Sequence, residues 1–377
     1  MNVLYTCDDN YVWLMGISML SLFDNNQTMD DITVYLIGDR ISDVNKSALE
    51  SLASSYHRRC IVIDLPDLEI PQNLISSRWP QSAFSRLYAG EILPSHLDKV
   101  LYLDCDTIVL QPLDELDAID IREYAACGVK DCISPAYRDN IGLATDDLYV
   151  NAGVLLLNLK KMRQLNIPKQ IEIFVKRYGS TICYADQDIL NGVLRGELGT
   201  LPAQYGVMTL EFMYPYEDIM KLRRPVGYYS KTEISAAVKS PIILHFTTCM
   251  LHARPWYLNS DHPKKHEFLR YQAMSEWHTK TLTVMHPTLG IKNKTLCAIH
   301  KLPYWLRIRI LGILHAWMYP QVVKLKAMCC ISLRGVVHGI CLKVRGKVYE
   351  SVDRHTGVQC ATLSEDMYRQ RFDANIS

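Results

Sequence analysis

Residues 99–110 read K-V-L-Y-L-D-C-D-T-I-V-L, and this stretch decides how the rest of the chain is read. Val100, Leu101, Tyr102 and Leu103 are apolar without alternation, the pattern of a strand covered on both faces in an α/β sheet. The run stops at two carboxylates, Asp104 and Asp106, on either side of Cys105. Side chains two apart on an extended strand share a face, so both carboxylates are expected to aim at one hard cation. A D-x-D triplet by itself is also a common solvated turn. Its place after a covered strand favours chemistry, because ligands of open α/β sheets gather at strand ends. A divalent cation held there can neutralise a diphosphate.

Working outward, residues 3–7 form a short apolar strand, followed by D-D-N-Y and an apolar-rich helix over about 11–23. Residues 32–37 read as a second strand, 42–56 as a helix capped by Ser42, and 60–65 as a third strand. Alternation at this spacing predicts a parallel α/β sheet. Beyond it, residues 82–93 look helical and carry Arg86, and a strand over 124–129 runs toward Asp131. The apolar run 149–159 has Asn151 and Gly153 embedded in it. Residues 160–178 are helical with a break expected near Pro168, a helix opens at Asp186, and 242–246 form a last apolar strand containing His245.

Several side chains carry two readings. Asp8 and Asn10 stand in the loop where a Rossmann-like half holds a nucleotide, and they also suit a turn or helix cap. Arg86 is either a solvated surface charge or a clamp on a phosphate or sugar. Asn151 in an apolar run needs a partner, either a structural hydrogen bond or a sugar hydroxyl. His245 is either a satisfied core histidine or a neutral imidazole completing a metal site.

A chain of 377 residues with 49% hydrophobic content can bury a large core and still carry an appendage. Its net charge of +1 hides a segregation. Residues 278–349 contain twelve Lys or Arg and no Asp or Glu, whereas residues 1–277 hold 26 basic against 35 acidic side chains. That contrast marks a neutral-to-acidic enzyme body joined to a basic, surface-seeking segment. Within it, residues 302–323 read L-P-Y-W-L-R-I-R-I-L-G-I-L-H-A-W-M-Y-P-Q-V-V, with Leu306, Ile310, Ile313 and Trp317 at helical spacing. The uncharged run is too short to cross a bilayer and fits an interfacial helix drawn to anionic lipid through residues 301–349. A helix docked on the enzyme body is the other reading. Nucleic acid is excluded as a partner by aliphatics interleaved with the basic residues and by the lack of a stacking platform. The twelve cysteines are scattered, without a C-x-x-C pair, which suits free thiols in a reducing compartment. The vicinal Cys329–Cys330 pair suits an interfacial anchor. Met1 leads straight into the first core strand, so no leader or anchor is expected ahead of it, and the expected location is cytoplasmic, peripheral to the inner face of the cell membrane.

A D-x-D pair at a sheet edge is the device of nucleotide-sugar glycosyltransferases, and further blocks agree with it. In order, these are the opening strand with D-D-N-Y, S-R-L-Y-A-G-E-I-L, K-V-L-Y-L-D-C-D, V-N-A-G-V-L-L-L-N-L-K-K-M-R, Y-A-D-Q-D-I-L-N-G and H-F … R-P-W, covering roughly residues 1–260. Together they resemble glycosyltransferase family 8, the family of lipopolysaccharide galactosyl- and glucosyltransferases and glycogenin. The resemblance implies a GT-A fold: a Rossmann-like mixed sheet with helices on both faces, here followed by a basic, partly helical C-terminal extension. It implies retaining transfer of a galactose or glucose from a UDP-sugar to a lipid-linked or other surface-glycan acceptor, with Mn2+ or Mg2+ as cofactor. It assigns Asp104, Asp106 and His245 to the metal, and Thr6, Asp8, Asn10, Arg86, Asp104, Cys105, Asp131, Asn151, Asp186, Gln187 and Arg254 to the nucleotide and donor sugar. Gln187 and Asp186 fall at the catalytic face. The family's usual H-x-x-G-x-x-K-P-W becomes H-F-T-T-C-M-L-H-A-R-P-W, longer by three residues and without the Gly, so Arg254 stands where a Lys is usual. The expected organisation is a catalytic domain over 1–260, connecting helices over 261–300 and a membrane-seeking tail over 301–377. A sugar-phosphate nucleotidyltransferase lacks its Gly-rich opening here, and a non-catalytic glycan-binding module is separable by turnover.

Overall fold

The computed structural model describes residues 1–329 apart from 69, 71–73, 76–79, 251 and 287–290. Cys330 and the basic residues from Arg334 to Lys347 lie outside the described residues. Met1–Lys324 form one compact unit.

Ten strands are present among the described residues: β1 (Asn2–Asp8), β2 (Thr33–Asp39), β3 (Arg59–Asp64), β4 (Lys99–Leu103), β5 (Thr107–Val109), β6 (Ala126–Lys130), β7 (Val150–Asn158), β8 (Leu198–Thr200), β9 (Val207–Met208) and β10 (Ile243–His245). Seven of them form one sheet in the order β3-β2-β1-β4-β7-β6-β8, and β5-β10-β9 form a small second sheet. Strands β1 to β4 pair in parallel, while β7 runs antiparallel to both β4 and β6. The sheet is mixed, as the resemblance implies; the wholly parallel sheet expected from the alternation fails at β7, which runs antiparallel to its neighbours. Alternate residues feed two cores: Val3, Tyr5, Leu101 and Leu103 pack on one face, Leu4, Val100 and Tyr102 on the other. Helix Val12–Asp24 is buried almost all round, because the sheet lies under one side and helix Lys265–Met274 covers another, with Trp13 edge-on to Phe268 at 6.1 Å.

Three local features differ from expectation. Strand β4 stops at Leu103, so Asp104–Cys105–Asp106 is a turn rather than an extended end. Thr107 closes that turn, its backbone N–H and hydroxyl donating to the Asp104 carbonyl at 3.2 and 2.8 Å. Chain reversal into β5, not the two-residue strand period, gathers the carboxylates. The break in 160–178 falls at Asn166, whose φ of 49° ends helix Leu159–Gln164; Pro168 sits in the first turn of Ile167–Tyr178, where a missing N–H costs nothing. The segment carrying Arg86 is a 3-10 turn, Ser85–Tyr88, between two short helices.

The C-terminal helix docks on this unit. Ile308 and Leu311 of Tyr304–Ile313 pack with Leu210, Tyr214, Ile219 and Leu222, and a Cβ on Gly312 would sit 2.3 Å from the Lys221 carbonyl. A π-helical turn follows at Leu314–Met318. The stripe expected to be the apolar face is split: Ile310 packs against the docked cluster, while Ile313 and Trp317 are exposed (42% and 56%), and Ile308, Leu311 and Ala316 are buried beside it. Close helix approach at Gly312 selects the face, which spacing alone does not encode. No helix among the described residues is long and apolar enough to cross a membrane.

Candidate active site

The strand ends line a cleft of about 340 Å³. Sheet order fixes its sequence of parts: β1 brings Thr6 and Asp8, the turn after β4 brings Asp104 to Asp106, the start of β7 brings Asn151 to Gly153, and the end of β6 brings Asp131 and Cys132. Because β7 is antiparallel, its N-terminal end meets the C-terminal ends of its neighbours.

Two registers build the acidic centre. Leu103 pairs with Val154, so the Asp104 N–H donates to the Gly153 carbonyl at 2.8 Å. His245 pairs with Thr107, and the Phe246 N–H donates to the Asp106 carbonyl at 2.9 Å. His245 Nε2 then lies 3.4 Å from Asp104 Oδ2 and 3.2 Å from Asp106 Oδ1. One ligating atom from each of the three lies within 4.8 Å of the others. Gly153 makes room for this: a Cβ there would come 2.1 Å from His245 Cε1 and 2.7 Å from Asp104 Oδ2. A buried chain from Tyr5 OH to Ser18 (3.0 Å) to Thr107 (2.9 Å) braces the turn from behind. Two carboxylates and one imidazole suit a divalent ion such as Mn2+, and a glycine kept clear beneath them is consistent with that use.

The charges around the centre are interlocked. Arg86, nearly fully buried, places Nη1 2.8 Å from Asp104 Oδ1 and Nε 3.1 Å from Asp186 Oδ2. Burial opposes ionisation of Asp104, but the Arg86 guanidinium, with His245 and the Tyr102 hydroxyl at 2.6 Å, holds its carboxyl well below the usual range. Asp186 goes the other way: burial lifts it to about 6 despite Arg86. Burial alone would depress His245, yet Asp106 and Asp104 raise it to about 9. Arg254 Nη1 stands 3.5 Å from Asp106 Oδ2, its guanidinium over the Trp256 ring at 5.1 Å.

Beside this lies a polar network. Gln187 Nε2 donates to Asp131 Oδ2 at 2.8 Å, and Gln187 Oε1 accepts from Asn151 Nδ2 at 3.1 Å and from the Ala152 N–H at 3.2 Å. Asn151 Nδ2 also reaches Asp131 Oδ2 at 3.3 Å. The embedded Asn151 thus satisfies its amide within the cleft wall.

Thr6, Asp8, Arg86, Asp104, Cys105, Asp106, Asp131, Asn151, Asp186, Gln187, His245 and Arg254 all line the one cleft. Asn10 does not. It sits exposed in the 3-10 turn Asp9–Tyr11, its backbone N–H spent on the Asp8 side chain at 3.0 Å, and the same turn aims Tyr11 at the cleft instead. Sequence reading also passed over Tyr184 and Arg223, which line the end nearest β6. Tyr184 stands two residues before Asp186, inside the quoted block Y-A-D-Q-D-I-L-N-G; Arg223 carries no signal, because it reaches the cleft from the end of helix Tyr216–Arg223.

The chain is similar to several known proteins. General stress protein A of Bacillus subtilis (strain 168) is 23% identical over 287 residues, 74% of this chain and 95% of that protein. A lipopolysaccharide 1,2-glucosyltransferase of Escherichia coli (strain K12) is 24% identical over 261 residues, 68% of this chain and 73% of that protein. Among solved structures, galactosyltransferase LgtC in complex with donor and acceptor sugar analogs matches with a TM-score of 0.60 at 24% identity, covering 74% of this chain and 100% of that one, which shows the GT-A-like fold. The profile of glycosyl transferase family 8 matches residues 2–259, a span that holds every residue lining the cleft, and the chain belongs to that family of glycosyltransferases.

Proposed function

We propose that this glycosyltransferase moves galactose or glucose from a UDP-sugar to a lipid-linked or lipopolysaccharide-type glycan, with retention at the anomeric carbon and with Mn2+, or Mg2+, as cofactor. The observation that carries the reading is the Asp104, Asp106 and His245 cluster, set between the nucleotide-side residues of β1 and the Asp131–Asn151–Gln187 network. Two relatives, a lipopolysaccharide 1,2-glucosyltransferase and a lipopolysaccharide 1,3-galactosyltransferase, support the hexose and the acceptor class.

In this reading Thr6 and Asp8 meet uracil and ribose, and Arg254 takes the diphosphate with a fixed guanidinium fork. Asp104, Asp106 and His245 would hold the cation. The chemistry a divalent cation supplies in such a seat is neutralisation of a diphosphate that gains charge as its bond to the sugar breaks. Asp131, Asn151 and Gln187 orient the hexose hydroxyls from groups already locked to one another, so little reorganisation accompanies the reaction.

Retention follows two routes. In the favoured one the anomeric C–O bond breaks with its electron pair on the diphosphate. The acceptor hydroxyl then bonds from the same face and its proton passes to the departing diphosphate oxygen. Asp186 is the carboxylate nominated for a double displacement, but its ion pair with Arg86 at 3.1 Å stabilises it against attack, and Gln187 is an amide with both ends engaged. A glycosyl adduct trapped on Asp186 would reverse this preference.

The tail supports action at a lipid surface. Trp305 (62% exposed), Ile313 and Trp317 project from the docked helix beside Lys301 and Arg309. Such a face fits the anionic cytoplasmic leaflet, where a lipid-linked acceptor would also lie.

The test is turnover of a UDP-galactose and UDP-glucose panel with Mn2+ and membrane lipid extract, products read by mass spectrometry. Asp104→Asn with Asp106→Asn is expected to abolish transfer and metal-dependent UDP binding while thermal unfolding stays cooperative. Transfer that survives the double substitution refutes the assignment.

A further inference from the structure

Behind the cleft-lining Tyr184 and Arg223 stands the C-terminal helical segment, which touches both through His315. In the hexosyl-transfer reading β1 is the nucleotide end, and with neighbouring strands about 4.8 Å apart the order β1-β4-β7-β6 sets Cys132 away from it; Tyr184 and Arg223 stand near Cys132, the side this reading leaves for the acceptor. Arg223 differs from the other arginines lining the cleft. Arg86 and Arg254 both face carboxylates, but among the described residues no carboxylate lies within ion-pair distance of Arg223, and its buried Nε has no hydrogen-bond partner. Its guanidinium donates instead to His315 Nε2, and the Tyr184 hydroxyl approaches the same nitrogen at 3.3 Å.

His315 is well anchored. It lies in the π-helical turn, where widened backbone spacing frees carbonyls: Tyr137 OH donates to the His315 carbonyl at 3.0 Å and Ser134 Oγ to the Ala316 carbonyl at 2.6 Å, while Asn140 Nδ2 donates to the Pro320 carbonyl at 3.0 Å just beyond the turn. The Tyr137 ring packs 5.4 Å from the imidazole. Three donors from the segment after β6 therefore clamp this turn to the cleft wall.

We infer that His315 is a positioning residue for the acceptor: it sets the Tyr184 hydroxyl and the Arg223 guanidinium so that both can meet oxygens of the incoming sugar. An imidazole partner leaves the arginine charge uncancelled, and Arg223 has donors only, so the group it receives is a hydroxyl or anionic oxygen of the acceptor. The same turn carries Trp317 outward, so the element suited to a lipid surface also buttresses Tyr184 and Arg223. The assignment rests on the hexosyl-transfer reading.

The experiment uses the full chain, UDP-galactose or UDP-glucose with Mn2+, and octyl glucoside and octyl galactoside as acceptor probes. His315→Ala is expected to raise the acceptor KM about tenfold, the loss of one buried charged hydrogen bond, while acceptor-free hydrolysis of the donor stays within about twofold. His315→Gln, which keeps an acceptor atom, restores most of the loss. On an Arg223→Met background His315→Ala adds little, as expected when one residue acts through the other. An unchanged acceptor KM, or a parallel fall in UDP affinity and donor hydrolysis, overturns the assignment. If the unsubstituted protein turns over no UDP-hexose, the hexosyl-transfer reading fails first and takes this one with it.

Discussion

Replacing Gly153 by alanine adds one methyl group at the floor of the acidic centre. Gly153 lies in β7 without a positive φ, so alanine fits the backbone and any cost is steric. The new Cβ would lie 2.1 Å from His245 Cε1, against the 3.4 Å at which ordinary contact begins, so the ring must retreat by about 1.3 Å. The Asp104 carboxylate, 2.7 Å away, must shift too. Neither move is free: His245 is fixed by β10, and Asp104 by Arg86 and Tyr102. Overpacking of this kind costs about 1–3 kcal/mol of stability. Metal sites tolerate ligand displacements of about 0.2 Å, so the damage to the site exceeds the damage to the fold. Gly153→Ala is expected to keep a cooperative melt, to weaken Mn2+ binding by about 10–100-fold in a calorimetric titration with UDP present, and to lose transfer in proportion. An alanine variant with undiminished Mn2+ affinity and turnover would show that the three side chains do not meet at one ion.

Three further outcomes follow from particular contacts. Burial raises the Glu211 carboxyl from 4.5 to about 7, although it accepts from the Met208 N–H at 2.7 Å and from the Tyr228 hydroxyl. The folded state therefore holds this proton to higher pH than the unfolded chain. The contribution is complete below the unfolded pKa and is lost as pH rises through the folded one, by up to about 3 kcal/mol. Urea unfolding near pH 5 and near pH 8 should show a smaller loss in Glu211→Gln than in the parent; equal losses would remove Glu211 as the cause. Ending the chain after His300 uncovers Leu210, Ile219 and Leu222 and discards the burial of Ile308 and Leu311, about 2 kcal/mol each, so the melting temperature should fall, whereas ending it after Lys324 should leave it unchanged. Equal melting temperatures would mean the helix contributes nothing to the fold. Trp305→Ala with Trp317→Ala should lower sedimentation with phosphatidylglycerol vesicles about tenfold per side chain without altering donor hydrolysis, and unaltered sedimentation would place membrane contact elsewhere.

Local pattern alone established the α/β alternation and the acidic triplet after a covered strand, whereas Thr6, Cys105, Asp131, Asp186, Gln187 and Arg254 were legible only through the resemblance to a family. The alternation and the triplet are local: an apolar run without alternation marks a strand buried on two faces, and a carboxylate at its end has few structural uses. Tertiary structure decided what pairing decides. Nothing in V-N-A-G-V-L-L-L-N reveals that β7 runs antiparallel, yet that direction brings Gly153 under Asp104 and Asn151 to the cleft. The β5–β10 register, joining residues far apart in sequence, carries His245 to the turn. Asn10 and Tyr11 exchange places because a single 3-10 turn rotates them. In the C-terminal helix the spacing of apolar residues marks two usable faces, and only the close approach at Gly312 and the clamp on the π-helical turn select the one that docks, which is how His315 comes to stand behind Tyr184 and Arg223.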